Sequence, residues 1–298
     1  MELKNIHSVY FIGIGGIGMS ALARFYLSKG IAVGGYDKVC TPLTESLVKE
    51  GATISYSDEL SEISTSFKNA KTTFIVYTPA IASSHKGYNY FKYNGFNIVK
   101  RSELLGLITD VLFTIGVAGT HGKTTTSSII THVLDNSGFP VNAFLGGISS
   151  NLNSNFLINE KAETVVVEAD EYDRSFLTLA PNIAIVTSMD ADHLDIYGEH
   201  SYLTESFEKY VAKLPSDGVL IKRKGLSVEH NNTIEYAVNE KADYYATNIN
   251  IENGEYHFDI VTPKERVKDV VLGMPGLHNV ENAVAAIAVG IELGLSIT

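Results

Sequence analysis

Gly119-Thr120-His121-Gly122-Lys123-Thr124-Thr125-Thr126 is the stretch that decides the fold, because it has the make-up of a loop that holds nucleotide phosphates at a helix start. An apolar, β-rich run, Val111 to Val117, precedes it, and Ser127 to Leu134, free of Pro and Gly, reads as the helix that follows. Gly119 and Gly122 let backbone amides approach phosphate oxygens, the helix N-terminus adds partial positive charge, and Lys123 adds a full one. Thr124 offers a hydroxyl to a phosphate-bound Mg2+. The stretch therefore reads as an ATP site. The general pattern G-x-x-x-x-G-K-[ST] is incomplete, since Val117 stands where its first glycine belongs. The plainer alternative is a strand-to-helix turn whose glycines only make the bend and whose lysine is solvated.

Outward from this loop, the chain alternates strand and helix. Upstream, Val9 to Ile12 reads as a strand, Met19 to Ser28 as a helix, Ile31 to Val33 as a strand, Leu43 to Glu50 as a helix, and Ala52 to Ile54 and Phe74 to Tyr77 as strands. Such alternation favours a parallel sheet. Lys100 to Asp110 reads as a connector, helical through Glu103 to Ile108, which places a boundary near residue 112. Downstream, strands are expected at Thr164 to Val167, Ile183 to Val186 and Gly218 to Ile221. Tyr244 to Ala246 and Tyr256 to Val261 follow as antiparallel strands, with Asn253-Gly254 as a hairpin turn. Segments 146–160 and 225–233 read as loops, and Ala283 to Leu293 as a closing helix. The expected fold is α/β: a Rossmann-like parallel-sheet domain, then a P-loop-type α/β ATPase domain with a small antiparallel addition.

Bulk composition narrows the function. The chain has 298 residues, is 45% hydrophobic and carries a net charge of −11, enough length for two domains with sizeable cores. The acidic balance, without any Lys/Arg run, argues against general nucleic-acid binding. Cys40 is the single cysteine, so no intrachain disulfide forms and the composition suits a reducing, cytoplasmic setting. The N-terminus enters its first strand without a signal-peptide pattern, and the apolar run Ala283 to Ile291 is too short to span a bilayer.

Four further constellations carry candidate chemistry. Gly13-Ile14-Gly15-Gly16-Ile17-Gly18 satisfies G-x-G-x-x-G between the first strand and first helix, and Asp37 ends the next strand. This reads as a dinucleotide or nucleotide-sugar diphosphate site, or as a turn built for helix packing. Glu168-Ala169-Asp170-Glu171-Tyr172-Asp173 follows a strand whose carboxyl end shares an edge with the phosphate loop. Glu168 is thus a candidate Mg2+ ligand, against the alternative of a solvated acidic turn. Asp190-Ala191-Asp192-His193-Leu194-Asp195 follows the next strand, and His193 is a candidate ligand for a second divalent metal or a structural histidine. His121 would contact phosphate or fill space. Asn279, in Pro275-Gly276-Leu277-His278-Asn279-Val280-Glu281-Asn282, would cap the last helix or hydrogen-bond a base edge.

Together, Gly13 to Ser20, Gly119 to Thr125, Glu168 to Glu171, Ala191 to Asp195 and Pro275 to Asn279 resemble the Mur ligases, the ATP-dependent amide-forming enzymes of peptidoglycan synthesis. The shortened phosphate loop is the form this family uses, and the Asp-His-Leu-Asp block resembles its alanine-adding branch. The resemblance implies that Lys123 neutralises the β- and γ-phosphates, that Thr124 and Glu168 hold one Mg2+, and that His193 holds a second. It implies that Asn279 and Asn282 contact adenine, and that Gly13, Gly15, Gly16, Ile17, Gly18 and Asp37 hold the uridine diphosphate of UDP-N-acetylmuramate, with His121 and Glu171 facing the muramoyl group. The implied reaction joins L-alanine to the lactyl carboxylate through an acyl phosphate, with no side-chain nucleophile. Some members carry a carbamate-modified lysine at the position of Phe207, so metal support comes from elsewhere here.

Family members resemble a three-domain arrangement whose third domain closes over ATP and helps bind the amino acid. With an end at Thr298, the expectation is a UDP-sugar-binding domain, 1–111, and a central ATP-binding domain, 112–298, without the C-terminal domain. Nucleotide binding with little or no ligase turnover is then expected. Three alternatives stand beside this reading: a recycling ligase that adds a tripeptide to the same UDP-sugar, a noncatalytic ATP or UDP-sugar binder, and a nicotinamide dehydrogenase using residues 13–37.

Overall fold

The computed structural model describes residues 6–172, 174–191 and 200–296. The first glycine-rich turn sits in a five-stranded sheet ordered β3-β2-β1-β4-β5. Its strands are β1 (Ser8–Ile12), β2 (Ala32–Tyr36), β3 (Thr53–Ser55), β4 (Thr73–Tyr77) and β5 (Asn97–Lys100), all paired in parallel. Alternation along β1 explains why both faces are covered. Val9 and Phe11 pack with Met19, Leu22 and Tyr26 of helix α1 (Ile17–Ser28). Tyr10 and Ile12 pack oppositely, with Phe67 and Phe91. A strand apolar on both faces is the mark of a buried parallel sheet. Helices α2 (Pro42–Lys49), α3 (Lys86–Tyr93) and α4 (Arg101–Thr109) complete this half. Thr41 caps α2 with its hydroxyl, and Pro42 occupies the first helical position.

The second sheet has ten strands. They are β6 (Phe113–Ala118), β7 (Val141–Ser149), β8 (Ser154–Leu157), β9 (Thr164–Ala169), β10 (Ile183–Val186), β11 (Val219–Arg223), β12 (Thr233–Val238), β13 (Tyr244–Glu252), β14 (Glu255–Val261) and β15 (Arg266–Leu272). Their order is β15-β14-β13-β12-β11-β10-β6-β9-β7-β8. From β7 to β13 the neighbours run parallel, and an antiparallel hairpin is added at each edge. Asn253 and Gly254 make the expected tight turn between β13 and β14, both with positive φ. Helix α5 (Lys123–Asn136) and the last helix, Leu277–Glu292, pack against this sheet, burying Ile130, Leu134, Val284 and Val289.

Several boundaries move. Segment 146–160, expected as a loop, instead holds the end of β7 and all of β8, because Leu145, Phe156 and Leu157 pack inward while intervening Ser and Asn residues make the turn. Both glycine-loop helices begin earlier than expected, α1 at Ile17 and α5 at Lys123, since glycines inside the loops already carry the helix entry. The last helix likewise starts at Leu277, directly after Gly276 at φ 103°. Val111, 70% exposed, lies in the turn ahead of β6. No described helix is long and apolar enough to cross a membrane.

Phe25 of α1 meets Phe144 of β7 and Phe156 of β8 at ring separations of 5.7 and 6.5 Å, so one apolar cluster runs from the first sheet into the second. Beside this aromatic contact the first glycine loop faces Gly146, Glu168 and Asp170 of the second sheet across a common cleft.

Candidate active site between two glycine loops

Strand β6 lies between β9 and β10, with Ala118 in register with Ala169 and Val186. The loop 119–122, the carboxylates beginning at Glu168 and the segment after Val186 therefore open at one sheet edge, where ligands of open α/β sheets gather. The loop makes its turn with Gly119 (φ 142°) and Gly122 (φ 83°). A side chain on Gly119 would place Cβ 2.0 Å from Thr187 Oγ1, and one on Gly122 would place it 2.9 Å from Asn282 Oδ1. Val117, fully buried inside β6, has no turn to make, which explains the missing glycine of the general pattern.

Residues that local sequence reading did not find brace this loop. Ser188 Oγ accepts the His121 amide at 2.7 Å and pairs with Thr120 Oγ1 at 2.9 Å, and Thr187 Oγ1 donates to the His121 carbonyl. Their position after β10, beside the loop strand, was the available clue. His121 itself is exposed. The first-turn amides of α5, including those of Thr124 and Thr125, have no intrahelical carbonyl to meet and face the loop opening.

Lys123 Nζ donates to the Gly119 carbonyl at 2.6 Å and to Glu171 Oε1 at 2.9 Å, and its charge lies 2.8 Å from Glu171 Oε2. Glu171 is fully buried. Thr124 Oγ1 donates to Glu168 Oε1 at 3.1 Å, and the Gly146 amide donates to Glu168 Oε2 at 3.0 Å. Burial pushes the Glu168 carboxyl above the usual range, opposed by the Thr124 hydrogen bond, the Lys123 charge and the Gly146 amide. A carboxylate beside a hydroxyl is a hard-oxygen pair of the kind Mg2+ takes together with phosphate oxygens.

The Asn pair of the last helix reaches the same loop. Asn279 Nδ2 donates to the Pro275 carbonyl at 2.6 Å, and Asn282 Nδ2 points to Asn279 Oδ1 at 3.4 Å. The N-cap is Gly276 without a side-chain cap bond, so Asn279 does not cap the helix. His193 lies outside the described residues. Phe207 is buried in the core against Phe176, with ring centroids 5.4 Å apart.

Across the cleft, Gly13 (φ 91°) and Ile14 donate their amides to the Tyr36 carbonyl, turning the chain into α1. Asp37 Oδ2 accepts the Gly15 amide at 2.7 Å, so this carboxylate braces the glycine turn. Arg101, the first residue of α4, lies over Gly18, with Nη1 2.8 Å from where a Cβ would stand. Its guanidinium makes no hydrogen bond or ion pair among the described residues, leaving a cation available over the N-terminus of α1. Gly13, Gly16, Ile17, Gly18, Arg101, Gly146, Glu168 and Asp170 line a shared cleft of about 330 Å³. Sequence reading missed Arg101 because it sits in the connector, and Gly146 because its segment read as a loop.

The description "Mur ligase family, catalytic domain" matches residues 8–111, and "Mur ligase middle domain" matches residues 117–290. The UDP-N-acetylmuramate–L-alanine ligase of Christiangramia forsetii is 50% identical over 297 residues, covering 99% of this chain and 65% of that protein. The chain thus spans about 65% of the length of that relative. Among solved structures, the UDP-N-acetylmuramate-alanine ligase of Thermotoga maritima superposes with TM-score 0.83 at 27% identity, covering 97% of this chain and 66% of that one. A Neisseria meningitides UDP-N-acetylmuramate:L-alanyl-gamma-D-glutamyl-meso-diaminopimelate ligase shares the fold, with TM-score 0.83 at 24% identity and coverage of 97% and 94%. With two family models matching nearly the whole length, each over its own sheet and glycine loop, the chain belongs to the Mur ligase family.

Proposed function

We propose that this chain binds UDP-N-acetylmuramate and ATP on opposite walls of the cleft for ligation of L-alanine to the sugar's lactyl carboxylate. The carrying observation is the cleft itself, which joins the Gly13–Gly18 loop and Arg101, without an ion pair among the described residues, to Glu168, the partner of phosphate-loop Thr124. Residues 1–111 act as the UDP-sugar unit and 112–298 as the ATP unit. Gly13, Gly15, Gly16, Ile17 and Gly18 take the diphosphate at the α1 N-terminus, with Arg101 supplying the countercharge. Asp37 holds the shape of that loop.

On the other wall, the amides of residues 119–125 cradle the ATP phosphates, and Lys123 exchanges Glu171 for phosphate oxygen. The hydroxyl of Thr124 and the carboxylate of Glu168 fit Mg2+, with His193 taken as a second metal ligand on the family resemblance. Bound metal supplies charge neutralisation on the transferring phosphoryl group. The lactyl carboxylate oxygen attacks the γ-phosphorus and ADP leaves, giving an acyl phosphate. The L-alanine amine then attacks the acyl carbon, phosphate leaves with the C–O bond electrons, and the ammonium loses its proton. Asn279 and Asn282 are taken to offer amides to the adenine edge, and Glu171 and His121 to face the muramoyl group, on the family resemblance. A single free cysteine and the small-molecule substrates suit a cytoplasmic setting.

Isothermal titration of the 298-residue chain with UDP-N-acetylmuramate, with Mg2+ and a non-hydrolysable ATP analogue, and with NADH tests this reading. Saturable binding of the first two and none of NADH is expected. NADH binding without UDP-sugar binding would overturn it.

A further inference from the structure

The β7–β8 hairpin touches both walls of the cleft. Its first strand presents the Gly146 amide to Glu168 Oε2 at 3.0 Å, so closely that a Cβ at Gly146 would stand 2.2 Å from that oxygen. Its second strand carries Asn155, whose side chain is fully buried. Asn155 Nδ2 donates to the Ile17 carbonyl at 2.5 Å and to Ser20 Oγ at 3.1 Å, in the first turn of α1 directly after the glycine loop. Asn155 Oδ1 accepts Arg24 Nη1 at 2.7 Å, and Arg24 is itself gripped by Glu50 at 2.8 Å.

Every hydrogen-bonding atom of the Asn155 amide is thus directed at α1. An amide is suited to this because it donates and accepts at once, and aspartate or leucine of similar size does not. The hydrogen bonds span the two sheets, and the rings of Phe25, Phe144 and Phe156 seal the apolar side of the same junction. The aromatic contacts resist separation but fix no register, since apolar attraction is non-directional. Asn155 supplies the direction. The path from one ligand wall to the other is therefore short: α1 first turn, Asn155, the hairpin, Gly146, Glu168, Thr124.

We propose that Asn155 is a positioning residue that fixes the glycine loop of the first sheet against the Glu168 carboxylate, so that occupancy of one wall alters affinity at the other. The inference rests on the UDP-sugar and ATP reading given above. Asn155 acts at one end through Ile17 and Ser20 and at the other through the paired strands of the hairpin that carries Gly146.

The test compares wild type, Asn155→Ala, Asn155→Asp and the hairpin control Ser154→Ala. Affinity for UDP-N-acetylmuramate is titrated with and without saturating Mg2+ and ATP analogue, and amide exchange is followed without ligands. In wild type and Ser154→Ala, one ligand is expected to change affinity for the other by about fivefold or more. In both Asn155 variants that factor falls to within about twofold of unity, while each ligand alone binds within about threefold of wild type. Aspartate fails like alanine because it keeps the Arg24 contact and loses the donor to Ile17. Exchange accelerates at residues 17–21 and 144–147 together. Absence of coupling in wild type, or full coupling in Asn155→Ala, overturns the proposal. Should wild type bind neither ligand, the functional reading fails, and exchange then decides alone: joint acceleration supports the positioning role and unchanged exchange overturns it.

Discussion

Replacing Lys123 by methionine leaves the fully buried Glu171 carboxylate without the ammonium that meets both of its oxygens within 2.9 Å. Removing one partner of a buried ion pair costs about 3–5 kcal/mol, because the remaining charge keeps its desolvation penalty and loses its compensation. Lys123 is itself only 13% exposed, so solvent screens the pair weakly. With a urea dependence of about 3 kcal/mol/M, the unfolding midpoint of Lys123→Met should fall by about 1–1.7 M. The chain contains no Trp, so far-UV circular dichroism is the appropriate probe. The double variant Lys123→Met/Glu171→Gln also removes the charge that has lost its ammonium and should recover most of the loss, to within about 1–2 kcal/mol of wild type. Neither variant should bind the ATP analogue, which separates the lysine's stabilising role from its phosphate role. A Lys123→Met penalty under about 1 kcal/mol, or a double variant no more stable than the single, would refute the claim that Glu171 needs this cation.

Glu168→Gln should stabilise the free chain while abolishing Mg2+-dependent nucleotide binding. The folded carboxyl sits above its ordinary range, so the folded state binds the proton more tightly and stability is lost as pH rises through the ordinary carboxylate range. The gain from glutamine, read as a melting-temperature shift, is thus larger at pH 7 than at pH 4; an equal or inverted gain contradicts the assignment. Arg101→Ala should weaken UDP-N-acetylmuramate binding about ten- to hundredfold by titration, in line with a lost charged hydrogen bond, and leave ATP-analogue binding within about twofold. Equal losses for both ligands would place Arg101 elsewhere in function. Burial holds the His85 imidazole below its ordinary value against the pull of Asp58, while Nδ1 accepts the Tyr88 amide to cap α3. Because the folded state resists that proton, stability should fall as pH drops below the ordinary histidine range of about 6.5. His85→Asn should flatten the dependence between pH 7 and 5, and an unchanged slope assigns it to other groups.

The readable parts of the site are those whose chemistry is sequential. Gly119, Gly122, Lys123 and Thr124 lie in one loop, and local turn and helix-start rules carry them. Arg101, Gly146, Thr187 and Ser188 were missed for a different physical reason: each acts on a residue from a distant segment, and nothing in its own neighbourhood announces the partner. Asn155 shows the limit most clearly. Its surroundings, Asn151 to Ser154, have the polar composition of a turn, and only pairing of β8 with β7 turns Asn155 toward α1.

The sequence by itself determined the α/β class, the two glycine loops, their helices and the residue types proposed to hold phosphate and magnesium. Periodicity and turn stereochemistry act over a few residues, so they survive in one dimension. The tertiary structure alone decided which residues share the cleft. Strand order set β6 between β9 and β10, which brought Glu168 to Thr124 and Ser188 to the loop. The junction of the two sheets then laid Arg101 over Gly18 and locked Asn155 to Ile17, contacts set by long-range packing that no local pattern encodes.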